Sequence, residues 1–372
     1  MPEQLPQELL DIADRADRFA IDVLLPLKRA VLAGEVDARQ ARKSVIEHAK
    51  EVGFFQLTQP RSVGGTAAST LTLVTVIDAL AQHNPEWLSD VLGPGPGILA
   101  AVDEPLRSRY LLPLLAGHKR AGFGFTEPPD AAHYTRATRS GDSLLVSGQK
   151  SYVTRGAEVD FINVLADIDD GGRAFIVVNT DLPGVKKSRL FSTIDGTEHA
   201  AFEFVDVRVP ASHLVGIPGE GMSNAMRQIG DTRIKMAAQA VGLGRWVLAY
   251  LTTHIQRAER NGDVKHTQRL RYGELRIKLY VARSALYRAA RLADSGANVV
   301  NEGIAAKAFA TETLSEIVDT AIQLVGGSAL ESAHPLAQLY QSTRVLRVAE
   351  GLTDVLRLSI ARGALDLGRG TL

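Results

Sequence analysis

Near the C-terminus, the stretch TRVLRVAEGLTDVLRLSIARGAL carries apolar residues at helical spacing: Val345, Leu346 and Val348, then Val355, Leu356, Leu358 and Ile360. In its middle stand a carboxylate, Glu350, and a helix-breaking glycine, Gly351. On these residues alone two readings are open. In the first, Glu350 lies on a solvated helix face and Gly351 is a local irregularity. In the second, the carboxylate sits among apolar neighbours that raise its proton affinity and suit it to acid–base work. The glycine beside it then lets the backbone approach a ligand.

Other chemistries are poorly supplied. There is no cysteine, which excludes disulfides, thiolate catalysis and Cys-based metal sites. The nine histidines are scattered, without H-E-x-x-H or paired ligand spacing, so no metal site is expected. A G-x-S-x-G elbow is missing. The glycine pairs of GPGPGIL (93–99) and VGLGRW (241–246) follow no strand, and Pro94 and Pro96 lack the N–H that a phosphate cradle uses.

The elements that must position Glu350 fall into three segments. The first 120 residues carry apolar residues three and four apart in QELLDIADRADRFAIDVLLPLKRAVLAG, DARQARKSVIEHAKEVGF and STLTLVTVIDALAQHN, which predicts helices. From Phe123 the period shortens. DSLLVSGQKSYVTRG, DFINVLADID, RAFIVVNTD and HAAFEFVDVRVP are short, rich in Val, Ile and Phe, and bounded by turn residues. They predict a small antiparallel β-domain. After GIPGEGM the helical period returns in four segments, roughly Met222–Arg260, Gln268–Ser295, Val299–Val325 and Thr343–Leu367, which suggest an antiparallel four-helix bundle. The fold expected is mainly α with a central β-domain: an N-terminal helical domain (1–122), the β-domain (123–215) and the C-terminal bundle (216–372).

With 372 residues, 45% of them hydrophobic, the chain can bury a large core. Its 42 basic and 42 acidic residues balance, which argues against a general nucleic-acid or anionic-membrane binder. The acidic amphipathic start, MPEQLPQELLDIADRADRFA, is unlike a signal or transit peptide, and no apolar run approaches a membrane span. A soluble, cytoplasmic protein is expected.

Several words of the sequence together resemble the acyl-CoA dehydrogenase family. They are FGFTEP (123–128), GQKSYVTRG (148–156), FEFVDVRVP (202–210), GEGM (219–222), DTRIKMAAQAVGLG (231–244), KAFA (307–310), QLVGG (323–327) and AEGLTDVLRL (349–358). Each is weak alone, but their order and spacing cover nearly the whole chain. The resemblance implies FAD held between β-domain and bundle, and removal of a proton and a hydride from adjacent carbons of an acyl thioester to give the trans-2-enoyl thioester. It gives Glu350 the part of the base and places Arg233 near the thioester. Thr126 falls at the flavin pyrimidine ring, Thr154 at flavin N5, and Tyr152 where a tryptophan usually packs along the ring; on composition alone Tyr152 is equally a core aromatic. Gln323, Gly326 and Gly327 match a loop that approaches the FAD pyrophosphate of a neighbouring subunit, which implies a homodimer or homotetramer. Electrons would leave through an electron-transfer flavoprotein.

Three departures from the family pattern stand out. After TEP the family's G-A-G-S-D is replaced by PDAAH, so Ala132 and His133 stand where serine and aspartate are usual. The R-x-x-F-G that holds the FAD adenosine has no phenylalanine here, and Arg260 is the residue left for the arginine role. E-G-T has become EGLT, with Thr353 one position late. These changes motivate an acyl carrier protein as an alternative to CoA. They also motivate an alternative function, a non-catalytic partner subunit; a flavin monooxygenase is a further alternative because the family's fold hosts such enzymes, although the matching Glu350 disfavours it.

Overall fold

The computed structural model describes residues 4–169, 171–262, 265–368 and 372. In chain order the helices before the sheet are α1 (Gln7–Phe19), α2 (Leu25–Leu32), α3 (Ala38–Glu51), α4 (Thr70–Ala81), α5 (Leu88–Val91) and α6 (Leu112–Leu115). The strands are β1 (Ala121–Gly124), β2 (Arg136–Ser140), β3 (Ser143–Thr154), β4 (Phe161–Ile168), β5 (Gly172–Asn179), β6 (Val185–Ser192), β7 (Glu198–Pro210) and β8 (Leu214–Val215). Then come α7 (Gly221–Arg260), α8 (His266–Asp294), α9 (Val300–Val325), α10 (Pro335–Leu346) and α11 (Thr353–Leu365). The helix–sheet–helix order is the one the sequence implies. By internal packing there are two compact units: Met1–Leu57, Ala67–Leu92 and Gly230–Leu372 form one, Thr58–Thr66 and Gly93–Ile229 the other.

In the helical unit, local side chains cap the starts of α3 and α4. Asp37 accepts from the amides of Arg39 and Gln40 at 2.8 and 3.3 Å to open α3, and Ser69 accepts from Thr72 at 3.1 Å to open α4. The expected first helix is interrupted by a wide turn over Ala20–Leu24 before Pro26. Proline has no N–H, and its ring would press on the preceding turn, which the wider coil relieves.

Helix α4 reads TLTLVTVIDALA, rich in β-branched residues that are weak helix formers. It is helical because it is buried nearly all round, so packing overrides propensity. A Cβ at Gly242 of α7 would lie 2.5 Å from the Cβ of Ala81 and 2.7 Å from the Asp78 carbonyl oxygen, so α4 and α7 cross at glycine distance. Asp78, in the middle of α4, is 1% exposed. It accepts from Arg245 of α7 at 2.9 Å and from Arg283 and Tyr287 of α8 at 2.8 and 3.0 Å. At the start of α4, the Asp294 carboxylate from the end of α8 caps the amides of Thr70 and Leu71 at 2.7 and 2.9 Å.

Helices α7 to α9 match the expected segments closely, although Asp263 and Val264 of the RNGDVKHT connection lie outside the described residues. The fourth segment differs. Instead of one helix over Thr343–Leu367 there are two, α10 and α11, separated by residues 347–352.

In the other unit one eight-stranded sheet runs β6-β7-β3-β2-β4-β5-β8, with β1 added on β4. The long pairings, β3 with β7 and β4 with β5, are antiparallel as expected. β1 and β2 instead pair β4 in parallel, which makes the sheet mixed. β4 and β5 are apolar and buried along almost their whole length, as strands covered on both faces must be. β6, VKKSRLFS, is the exposed edge, and its basic residues discourage pairing with another chain. No helix among the described residues is long and apolar enough to cross a membrane.

Asp78→Ala would leave two guanidinium groups without their shared acceptor in a largely dry interior. The expected loss is about 3 kcal/mol of unfolding free energy, read as a lower urea midpoint at unchanged slope.

Candidate active site

The break after α10 answers why a carboxylate and a glycine interrupt an apolar helix. Val348 and Ala349 still donate to the Val345 carbonyl, both at 2.9 Å. Glu350 then turns left-handed, with φ +56°, and Gly351 follows at φ +113°. A side-chain-bearing residue in that region costs about 1 kcal/mol or more, so the turn must be held from outside. Arg233 of α7 donates Nε to the Glu350 carbonyl at 2.9 Å. Lys307 of α9 donates Nζ to the Gly351 carbonyl, also at 2.9 Å. Thr353, buried at the start of α11, donates its hydroxyl to the Arg347 carbonyl at 3.3 Å. The φ of Gly351 strains any residue with a side chain, and a Cβ there would also press on Leu356 at 3.1 Å and on the Arg233 guanidinium at 3.3 Å.

The broken turn leaves the Glu350 side chain partly buried, and no donor among the described residues bonds its carboxylate. Burial raises its pKa above the ordinary value, while the charges of Arg233 and Lys307 oppose the rise. Burial likewise lowers the pKa of Arg233, with Glu350 opposing. The result is a carboxylate with heightened proton affinity, tethered by its backbone. That arrangement suits general acid–base chemistry.

A second set of predicted residues lies on the sheet. Thr126 is exposed, and its carbonyl accepts from the Ser151 amide at 2.8 Å, which ties the TEP turn to β3. Tyr152 sits in a bulge where the β3–β7 register shifts between Lys150 and Val153, with φ +54°. The bulge turns its ring outward, 59% exposed, so it is not the core aromatic that composition also allowed. The ring stands edge-on to Phe191 at 5.3 Å. Thr154 ends β3, exposed, with its hydroxyl 3.4 Å from His199 Nε2. Thr126 also lines a cavity of about 730 Å³ together with Ala132, His133, Tyr134, Lys150 and Met222.

Two ionic residues beneath this surface carry no expectation from the sequence. Lys150 is 2% exposed and meets Glu127 at 2.7 Å. Glu127 also accepts from the Thr135 amide at 2.8 Å, which closes the loop over residues 127–135. Burial pushes the Glu127 carboxyl up, but the hydrogen bonds from Lys150 and Thr135 outweigh it and leave its pKa below the ordinary value. Lys307 was missed in the same way. Its signal was available: it falls on an apolar helical face with Gly303, Ile304, Ala310 and Leu314.

The remaining predicted residues lie far along their helices from the break. Arg260 is exposed at the end of α7, about 40 Å from Arg233 at 1.5 Å per residue. Gln323 is exposed near the end of α9, about 24 Å from Lys307. Gly326 (φ +91°) stops α9, and a Cβ on either Gly326 or Gly327 would meet nothing within 4 Å.

Comparison with known proteins bears on the whole chain. Two family descriptions match: "Acyl-CoA dehydrogenase, N-terminal domain" over residues 6–118 and "Acyl-CoA dehydrogenase, C-terminal domain" over residues 219–365. Isobutyryl-CoA dehydrogenase, mitochondrial, of Dictyostelium discoideum is 29% identical over 86% of this chain and 81% of its own. Subunit CarC of the caffeyl-CoA reductase-Etf complex of Acetobacterium woodii is 27% identical over 86% and 89%. The crystal structure of a probable acyl-CoA dehydrogenase from Mycobacterium abscessus superposes with a TM-score of 0.84 at 25% identity, covering 96% of this chain and 99% of that one.

The Glu127–Lys150 pair predicts a pH-dependent stability difference. The folded Glu127 carboxyl binds its proton less tightly than the unfolded one. Its contribution is therefore fully present above the ordinary carboxylate range and fades as pH falls through the folded pKa. Glu127→Gln is expected to cost about 3 kcal/mol at pH 7. Urea unfolding of both proteins across a pH series should show that gap closing in acid.

Proposed function

Because the chain belongs to the acyl-CoA dehydrogenase family, whose members are oxidoreductases acting on CH–CH bonds, we propose that it desaturates an acyl thioester between its α and β carbons. Glu350 takes the α-proton, and the β-hydrogen leaves with its electron pair, so the two C–H bonds are replaced by one C=C bond. The observation that carries this reading is the helix break. It places a strained, partly buried glutamate with raised proton affinity at the one point where an apolar helix is interrupted. A silent subunit has no need of such a turn, which weighs against the partner-subunit alternative.

The hydride acceptor in this proposal is FAD, which supplies two-electron acceptance when bound. The residues present fit such a group: an exposed aromatic ring raised on a bulge at Tyr152, the exposed Thr154 at the end of the same strand, and the exposed Thr126 in the turn tied to that strand. Arg260, Gln323, Gly326 and Gly327 are proposed to serve the FAD of a neighbouring subunit in a homodimer or homotetramer. Their distance along α7 and α9 from the break supports that division. The substrate carrier is proposed to be CoA, with an acyl carrier protein as the alternative that the Ala132–His133 loop motivates. An electron-transfer flavoprotein is the proposed redox partner, by analogy with the complex named for the A. woodii relative.

The name of that same relative favours a second reading, in which the chain runs the reaction as a reductase. A carboxylic acid of raised pKa serves it equally, since Glu350 then gives its proton to the α carbon.

Anaerobic addition of saturated thioesters to the purified protein, and of 2-enoyl thioesters to the protein whose flavin has first been reduced with dithionite, tests both directions. Bleaching of a flavin spectrum by a saturated thioester supports dehydrogenation. A protein that is colourless and cannot be reconstituted with FAD overturns the proposal. Glu350→Gln is expected to lose about 10²–10⁴-fold in turnover. In the wild type, kcat/KM for desaturation should fall in acid with an apparent pKa above the ordinary carboxylate value, because the base must be ionised.

A further inference from the structure

A lysine with no exposed surface is rare unless its charge has something to do. Lys307 is 0% exposed on α9, one turn from Gly303, Ile304, Ala310 and Thr311, all buried. Any aliphatic residue would pack there without the cost of desolvating an ammonium. What the lysine adds is a donor, spent on the Gly351 carbonyl at 2.9 Å, and a charge beside Glu350.

We propose that Lys307 is a positioning residue for Glu350: its ammonium fixes the broken turn that aims the carboxylate, and its charge keeps that carboxylate ionised. This deepens, and rests on, the reading of Glu350 as the base. The geometry is specific. Arg233 holds the carbonyl before Gly351 and Lys307 holds the carbonyl after it, so the peptide planes on both sides of the glycine are pinned from two helices. The charged groups facing Lys307 are Arg233 from α7, Glu350 and Arg347 from the break, and Glu312 from its own helix. Glu312 is already engaged by Arg357 through two bonds of 2.9 and 2.7 Å and by Arg347 at 3.5 Å. Glu350 is therefore the anion that answers the Lys307 charge. Burial, with Arg233 adding to it, pulls the pKa of Lys307 down to about 8, while Glu350 opposes the shift.

The test is a ¹³C NMR titration of the full-length protein, as purified, carrying carboxyl-labelled glutamate. The Glu350 resonance is assigned by its loss in Glu350→Gln. In the wild type the resonance should show its main step above the ordinary carboxylate pKa and a smaller step near pH 8, as Lys307 loses its proton. Lys307→Met should raise the main midpoint by about one unit and abolish the second step. Lys307→Arg should keep the midpoint near the wild-type value, which packing damage alone would not achieve. The acid limb of kcat/KM should move with the titration, with kcat falling more than KM rises. An unchanged midpoint in folded Lys307→Met overturns the proposal. If that variant does not fold, the wild-type step decides: its presence near pH 8 supports the proposal and its absence overturns it. Full turnover by Glu350→Gln would instead sink the base reading, while the titration separately reports whether Lys307 governs this carboxylate.

Discussion

Two cations, a half-buried guanidinium and a fully buried ammonium, donating to two successive peptide carbonyls are the constraint on which the helical unit turns. A helix broken in a packed interior strands carbonyl groups that need donors. A guanidinium and an ammonium carried into the same interior need acceptors. Arg233 and Lys307 meet both needs at once at Glu350 and Gly351. The strain of a left-handed glutamate persists because both cations come from long helices that cannot readily yield. Those helices are fixed in turn by the Asp78 cluster, which joins α7 and α8 to α4, and by the packing of α8 against α9. The position of one carboxylate thus depends on an ionic centre in a different part of the bundle.

The sheet unit solves a related problem in a similar way. Its loop over residues 127–135 is short of regular structure, and an ion pair from the half-buried Glu127 to the buried Lys150 substitutes for it. Both units therefore use an ion that is expensive to bury in order to fix an irregular backbone beside candidate site residues. A neutral side chain would pack at lower cost but would leave the backbone under-determined.

Much of this was legible in the sequence. Glu350 and Gly351 marked the place, as a charge and a helix-breaking glycine inside an apolar period, but that period read as one helix over Thr343–Leu367 and gave no sign of two. The apolar period announced the helical segments, and the apolar strands β3, β4, β5 and β7 announced the sheet. What escaped notice was either polar or distant. β6 is an edge strand whose lysines hide its period, and β1 and β2 are too short to show one. The donors at the break lie 117 and 44 residues from the carbonyls they reach, and no local pattern links them. The wider turn over Ala20–Leu24 was not legible, because the apolar period runs through Pro26 without a change.

Helix α4 carries a consequence for biosynthesis. It is apolar nearly all round, and its capping carboxylate, Asp294, is 224 residues away from Thr70. At a translation speed of about 5–20 residues per second, roughly eleven to forty-five seconds separate the emergence of α4 from that of its cap. The counter-ions of Asp78 arrive within the same interval, since Arg245 and Arg283 lie 167 and 205 residues downstream. The N-terminal third of the helical unit is thus made long before it can be completed, and the nascent chain must carry its most apolar segment unsheltered until the bundle arrives.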